Sequence, residues 1–189
     1  MYLKSLPVSA AAAVGLAATA NAHERAVEFP DTEDGGVILA ADLHTHSVFS
    51  DGEVWPSIRV KEAQRDGLEL LAVTEHLEHQ PKKADIPHPD RNRSYEVARE
   101  TLENSGEEDL FLINGAEVSR SQPYGHINAV FLEDANPLLT DDAEDALAAA
   151  NAQGAFVFVN HPNWIPQAPD GIARLSDVHL RLVRDGLIQ

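Results

Sequence analysis

Short apolar runs alternate with helix-like segments along this chain, and side chains that can bind metal ions stand where the runs end. The first run, residues 36–43, leads directly into His44 and His46. Because side chains alternate along a strand, these two imidazoles would point to the same side of a sheet. Two imidazoles on one face suit a divalent transition metal such as zinc, but a pair of surface histidines has the same pattern. The residues at the ends of the other runs decide between these two interpretations.

The alternation predicts an α/β fold with mostly parallel strands and helices packed over them. In α/β barrels of this kind, the active site is built at the carboxyl ends of the strands. Helices are predicted at residues 56–67, 95–102 and 140–154, and a last helix is predicted to begin near Ser176. Strands are predicted at residues 36–43, 68–74, 110–115, 126–131 and 155–159.

Polar residues at the ends of these strands form a consistent set. His76 follows the second strand, Glu117 the third and His161 the fifth, while His126 begins the fourth. Independent surface histidines have no reason to recur at these positions. The chain has nine histidines and no cysteine, so any transition-metal site must use His, Asp and Glu, and disulfides are impossible.

The charge of the chain limits its partners. Its formal net charge is −17, so a polyanion that binds mainly through phosphate contacts would be repelled. Non-specific nucleic-acid binding is therefore disfavoured, although bound metal cations can invert the potential inside a site. The sequence does not indicate an oligomeric state.

The amino terminus has the features of a secretory signal peptide. Lys4 precedes an alanine-rich apolar run, and Ala20-Asn21-Ala22 is an A-x-A cleavage signal. The run is short and mostly alanine, which argues against a membrane anchor. We expect a secreted or periplasmic protein without membrane attachment after cleavage. Its expected organisation is a signal peptide at residues 1–22, a lead-in segment at 23–35 and one domain at 36–189.

Six short motifs follow one another along the chain. They are His44-Thr45-His46-Ser47, Ser50-Asp51-Gly52, Thr74-Glu75-His76, Gly115-Ala116-Glu117, Gly125-His126 and Asn160-His161-Pro162. In this order they resemble the motifs of the PHP (polymerase and histidinol phosphatase) family. The resemblance extends from about Ala41 to Pro162 and implies a distorted TIM-like (β/α)7 barrel. It also implies up to three divalent metal ions, zinc, manganese or iron, in a cleft at the strand ends.

The resemblance implies a phosphoesterase of small-molecule phosphate esters. Neighbouring metal ions can hold a bridging hydroxide as nucleophile and stabilise the leaving oxygen, and metal-bound water reaches a pKa of about 7. Glu117, His76 and Asp51 are expected to carry catalysis. The implied ligands are His44 and His46 for the first metal, Asp51 and His76 for the second, His126 and His161 for the third, and Glu117 as the bridge between first and third.

Several basic side chains are candidates for binding the substrate phosphate. Arg120 and Arg91 are the assigned pair, with Lys82, Lys83 and Arg93 as further candidates, although each alone also fits plain surface charge. Export argues against histidine biosynthesis and against polymerase proofreading. Scavenging of external phosphate esters is the role that remains.

The last motif of the family, Asp-x-His, has no acceptable match. Asp177 and His179 have the right spacing, but Asp177 lies only 16 residues after His161. Leu175, Val178 and Leu182 have helical spacing, and on a helix residues two apart point in nearly opposite directions. We therefore expect the motif beyond Gln189. The chain would then be an N-terminal fragment, truncated after about five strands, with an open sheet edge, an incomplete metal set and reduced stability or activity.

Two other functions stay open. An amidohydrolase-like hydrolase would use a similar histidine cluster on a carbon-centred substrate, but such enzymes usually carry a metal-bridging lysine, and no lysine stands at a strand end here. A non-catalytic metal-binding domain would keep the ligands without turnover. His79 and His88 are expected at the surface.

Overall fold

The computed structural model describes residues 29–30, 32–106 and 109–189. The predicted signal peptide lies outside this part of the chain. None of the helices within it has the length and apolar character needed to cross a membrane. The strands are β1 (Ala41–Thr45), β2 (Leu70–Val73), β3 (Phe111–Ser119), β4 (His126–Val130) and β5 (Phe156–Val159). The helices are α1 (Pro56–Asp66), α2 (Arg93–Ser105), α3 (Ala143–Ala152) and α4 (Asp177–Arg184), with a 3-10 turn at Asn136–Leu138.

The five strands form one curled sheet in the order β1-β2-β3-β4-β5, which confirms the predicted α/β fold of the TIM-like type. Strands β1, β2 and β3 are parallel, but β4 is antiparallel to both β3 and β5. The expectation of mostly parallel strands is therefore wrong for β4. Only six residues, 120–125, connect β3 to β4, and a parallel crossover needs a dozen or more.

The first strand begins later than the sequence predicts. β1 starts at Ala41, and Val37, Ile38 and Leu39 before it are 74%, 43% and 41% exposed. An apolar run becomes a strand only where a neighbouring strand pairs with it. Here the pairing with β2 begins at Ala41. β3 is longer than predicted and continues through Glu117 to Ser119.

Helices cover the sheet through two apolar clusters. α1 and α2 pack through Val60 and Ala98 against Leu71 of β2. α3 and α4 share a larger cluster with β3, β4 and β5, which includes Leu147 and Leu182. Full burial of side chains of this size contributes about 1.5–3 kcal/mol each. The two clusters hold the strands in register and so fix where their polar ends lie.

The edge strand β5 is partly covered. The backbone N–H of Gln189 donates to Val157 O over 2.9 Å, and the Val157 N–H donates to Gln189 Oε1 over 2.7 Å. These two bonds satisfy backbone groups at an edge that the sequence predicts to be open.

Candidate metal centre

A fully buried carboxylate, Glu117 of β3, lies beneath five imidazoles. Its Oε2 atom is 2.8 Å from His76 Nδ1, and its Oε1 atom accepts a hydrogen bond of 2.9 Å from His126 Nδ1. The carboxylate therefore joins strands that are distant in sequence. The other imidazole nitrogens lie at 3.3 Å (His46 Nε2), 3.5 Å (His44 Nε2) and 3.5 Å (His161 Nε2) from its oxygens.

The sheet topology brings these imidazoles together. His44 lies in β1 with His46 just beyond its end, and their Nε2 atoms are 2.9 Å apart. His76 follows β2 and pairs with Glu117 across a parallel bridge. Because β4 is antiparallel, its first residue, His126, lies beside the carboxyl ends of its neighbours. The reversal of β4 thus places this histidine at the correct edge.

Asp51 approaches the cluster from a tight loop after β1. Its carboxylate oxygens are 3.8 Å from His46 Nδ1 and 3.5 Å from His76 Nε2. A Cβ atom on the next residue, Gly52, would lie 2.5 Å from His46 O, so only glycine allows this close packing. Lys82 Nζ donates to the carbonyls of Asp51 and Gly52 and holds the loop from outside.

The loop is also held from inside by Glu75, a buried carboxylate that accepts several hydrogen bonds. The Ser47 N–H donates to both of its oxygens at 3.0 and 3.1 Å, and Ser94 Oγ donates to Oε1 at 2.7 Å. The hydroxyls of Ser47 and Ser50 also donate to it. In the sequence, Glu75 stands out only as a member of the Thr74-Glu75-His76 motif. Because adjacent residues at a strand end point to opposite sides, its position next to His76 indicates that it points away from the imidazoles and into the loop.

Two buried asparagines complete the polar layer beneath the cluster. Asn160 Nδ2 donates to Glu117 Oε1 at 3.0 Å and to Asn128 Oδ1 at 2.7 Å. Asn128 Nδ2 in turn donates to Leu43 O in β1. Sequence reasoning assigns no role to either side chain. Asn128 stands two residues after His126 in β4, and this spacing indicates the same face of the sheet.

The electrostatics favour an anionic Glu117. Burial raises the pKa of its carboxyl, but the hydrogen bond from His126 and the close His44, His46 and His76 imidazoles outweigh burial and hold the pKa well below its usual value. Burial lowers the pKa of His161 and so favours its neutral form. A buried anion surrounded by imidazole nitrogens is a donor set that suits a divalent cation.

A second observation supports metal binding by these residues. Among the described residues, the buried atoms Glu117 Oε2 and His161 Nδ1 make no hydrogen bond, although His76 Nδ1 lies 2.8 Å from Glu117 Oε2. Buried polar atoms are normally satisfied, and a metal ion would supply the partner missing from Glu117 Oε2. Three groups have ligand atoms within 4.8 Å of one another: His44, His46 and Glu117; His46, Asp51 and His76; and His76, Glu117 and His126.

The candidate phosphate-binding residues are engaged elsewhere. Arg120 pairs with Glu78 and donates to Thr140 O at 2.6 Å. Arg91 donates to Gln80 Oε1 at 2.6 Å and to His88 O at 3.0 Å. Neither arginine lines the cavity above the imidazoles, nor do Lys82, Lys83 and Arg93. Their assignment to the substrate stays a prediction.

Within the described part of the chain, three further histidines lie outside the cluster. His79 is exposed as expected, but His88 is buried, so its surface assignment is wrong. The His88 ring packs 4.9 Å from the Phe49 ring and its Nδ1 donates to Ile86 O, contacts that a proline-rich loop sequence does not reveal. His179 lies on α4, so the helix predicted there is present, and its Nε2 donates to Tyr124 O. The rejection of an Asp-x-His site at this position stays a prediction.

A cavity of about 300 Å³ opens above the cluster. Six of the seven side chains that line it belong to the predicted metal ligands, and the seventh is Trp164, which sequence reasoning missed. The lining residues are His44, His46, Asp51, His76, His126, His161 and Trp164.

Solved structures of other proteins resemble this chain. No protein-family model matches the chain, and no curated protein does. A two-domain protein from Bacteroides vulgatus that contains a predicted PHP-like metal-dependent phosphoesterase is similar, with 45% identity and a TM-score of 0.81. The alignment covers 87% of this chain but 46% of that protein, so the chain spans less than half of its length.

A second solved structure shares the fold. It is a metal-dependent phosphoesterase by name, from Bifidobacterium adolescentis, with a TM-score of 0.56. The alignment covers 78% of this chain and 75% of that one, and at 18% identity it supports the fold alone. The first structure confirms the resemblance that the six motifs predict.

Proposed function

This chain is of the PHP type in sequence and fold, and we propose that it is a metal-dependent phosphoesterase that hydrolyses phosphate esters of small molecules. One observation carries the proposal. The fully buried Glu117 carboxylate faces five imidazoles within 3.5 Å, next to a solvent-accessible cavity. A site of this composition has the ligands for divalent cations and the room for a substrate.

Seven side chains would hold the metal ions. Divalent ions bound there would activate water for attack and stabilise negative charge on a phosphoryl oxygen. In the chain itself, Glu117 keeps a full negative charge at the bottom of the cavity. The ligands are His44, His46, Asp51, His76, Glu117, His126 and His161.

The protein groups around the cluster fix the orientation of these ligands. His126 uses Nδ1 to donate to Glu117, which leaves the lone pair of Nε2 available on the cavity side. Ser119 Oγ is 2.5 Å from His76 Nδ1, and Arg59 Nε donates to His46 O. Ligands that are held in this way lose little conformational freedom on metal binding, which favours affinity.

The expected export supports a role on external substrates. A cleaved signal peptide at residues 1–22 would deliver the domain to the periplasm or medium. There, the acidic surface disfavours polyanionic substrates and favours small phosphate esters. We propose scavenging of such esters as the biological role.

An assay with several substrate classes tests the proposal. The protein is supplied with manganese, zinc or iron and with phosphomonoesters, phosphodiesters and amides. Phosphate-ester hydrolysis that chelator and His46→Ala abolish, and that Glu133→Gln leaves intact, supports the proposal. Glu133 is the control because its side chain is exposed and does not line the cavity. Amide hydrolysis would favour the amidohydrolase-like alternative, and metal binding without turnover would favour the non-catalytic one.

A further inference from the structure

Trp164 is a large apolar side chain at the mouth of the metal-site cavity. It is 46% exposed, and its ring centroid lies 5.2 Å from the His161 ring and 5.4 Å from the His126 ring. Exposure alone does not distinguish Trp164, because Trp55 is 49% exposed. The position of Trp164 does, because its indole lines the cavity next to two predicted metal ligands, where a bound substrate would cover it.

The backbone at Trp164 is held in a hydrogen-bonded turn. The backbone N–H of Trp164 donates to His161 O at 2.9 Å, and the Trp164 carbonyl accepts from Gln167 N at 2.8 Å and Ala168 N at 2.7 Å. The turn that follows β5 therefore carries both the predicted ligand His161 and the indole. The indole ring also contacts the His126 and His161 rings, and these contacts restrict its rotation, so it offers a stacking surface at low entropic cost.

The composition of the cavity leaves few other groups to recognise the organic part of a substrate. Of the side chains that line it in the described structure, all except Trp164 are histidines or Asp51, which the metal site uses. None of the lining residues is lysine or arginine. The cavity thus lacks a cation for a second phosphate group but offers an aromatic face.

We propose that Trp164 selects phosphate esters whose organic part contains a planar aromatic ring, as in an aryl or nucleoside monophosphate. The proposal rests on the proposed function, because the phosphate of the ligand would lie at the metal site. The aromatic ring would stack on the exposed indole face, as bases stack on aromatic side chains in nucleic-acid-binding proteins. Substrates with small aliphatic organic parts would lack this contact.

Two ligands that differ only in the ring test the proposal. Adenosine 5′-monophosphate and ribose 5-phosphate share the phosphate and the sugar, so a difference in affinity reports the base. The chain has two tryptophans, and Trp55 does not line the cavity. In the zinc-loaded Trp55→Phe variant, indole emission therefore reports Trp164. It is recorded after rapid mixing, before turnover. Affinities are measured by competition against a chromogenic phosphate ester, or by calorimetry if neither ligand is hydrolysed.

We expect adenosine monophosphate to change the emission of Trp164 and to bind about tenfold more tightly than ribose 5-phosphate. Trp164→Ala should bind both ligands with equal affinity, while Trp164→Phe and Trp55→Phe should retain the preference. Equal binding of the two ligands to the unmodified protein, or binding of neither, would overturn the proposal. So would an equal loss of both affinities in Trp164→Ala.

The result is separable from the proposed function. A Trp164-dependent preference in binding, without release of phosphate from either ligand, supports the stacking role while the phosphoesterase proposal fails. Hydrolysis of both ligands with equal kcat/KM in the Trp164→Ala and unmodified proteins supports the phosphoesterase and overturns the stacking role.

Discussion

Glu117 and His126 lie diagonally across the β3–β4 pair, and His126 Nδ1 donates a hydrogen bond of 2.9 Å to Glu117 Oε1. Glu117 is directly opposite Asn128, two residues further along β4. Diagonal neighbours of an antiparallel pair share one face and lie within reach of long side chains. The reversed strand therefore supplies both a candidate ligand and a buried support for Glu117.

The Glu75 carboxylate stabilises the loop that carries Asp51, and Ser94 is one of its donors. Ser94 is 2% exposed, and Ser94→Ala removes a hydrogen bond to a buried charged group. We expect a loss of about 1–3 kcal/mol in the free energy of unfolding, measured by urea denaturation. Ser57→Ala on α1 is the control, with an expected change within about 0.5 kcal/mol. Equal stability of the two variants would contradict this role of Glu75.

We expect His179 to have a structural role and no part in metal binding. Its Nδ1 accepts from the Ser176 N–H at 3.2 Å, and its Nε2 donates to Tyr124 O at 2.7 Å. His179→Ala should lower the free energy of unfolding by about 1–3 kcal/mol because the partly buried Ser176 N–H and Tyr124 O lose their partner. Metal content, measured by mass spectrometry on the folded protein, should stay unchanged in this variant and in Asp177→Asn. A folded His179→Ala protein with less bound metal would show that the Asp-x-His motif is a ligand pair.

Acid should weaken the contact between α3 and α4. Arg181 donates to both oxygens of Glu144 at 2.6 and 2.7 Å, and this pairing lowers the pKa of Glu144 to about 2. Because the pKa is lower in the folded state than in the unfolded state, the contribution to stability is present above the ordinary glutamate pKa. It decreases as the pH falls from there towards 2.

Unfolding experiments at several pH values measure this contribution. Glu144→Gln should flatten the decrease in stability over the acid range, and Asp145→Asn, an exposed change on the same helix, serves as the control. Identical pH profiles for Glu144→Gln and the unmodified protein would rule the effect out.

Much of the fold follows from local patterns, but the direction of β4 does not follow from hydrophobicity. The run at residues 126–131 predicts a strand without a direction, and the six-residue connection before it is the signal for a hairpin. For β5 no such signal exists, because a helix lies between it and β4 and yet the pair is antiparallel. Strand direction there depends on tertiary packing, which periodicity does not encode.

The candidate site divides in the same way. The histidines of the motifs meet around Glu117 because they stand at strand ends, which a sequence can indicate. Trp164 and His88 could not be placed, since one is exposed in a turn and the other is buried by distant residues such as Phe49. Nonlocal contacts decide both positions.

Metal binding to Glu117→Gln tests most directly whether Glu117 completes a metal centre. Zinc is titrated into the metal-free unmodified protein, Glu117→Gln and the control Glu133→Gln, an exposed change, and folding is checked by circular dichroism. We expect the unmodified and control proteins to bind zinc with equal affinity. Glu117→Gln should bind zinc at least about tenfold more weakly, because the anionic ligand is gone. Unchanged zinc affinity in a folded Glu117→Gln protein would contradict this role of Glu117.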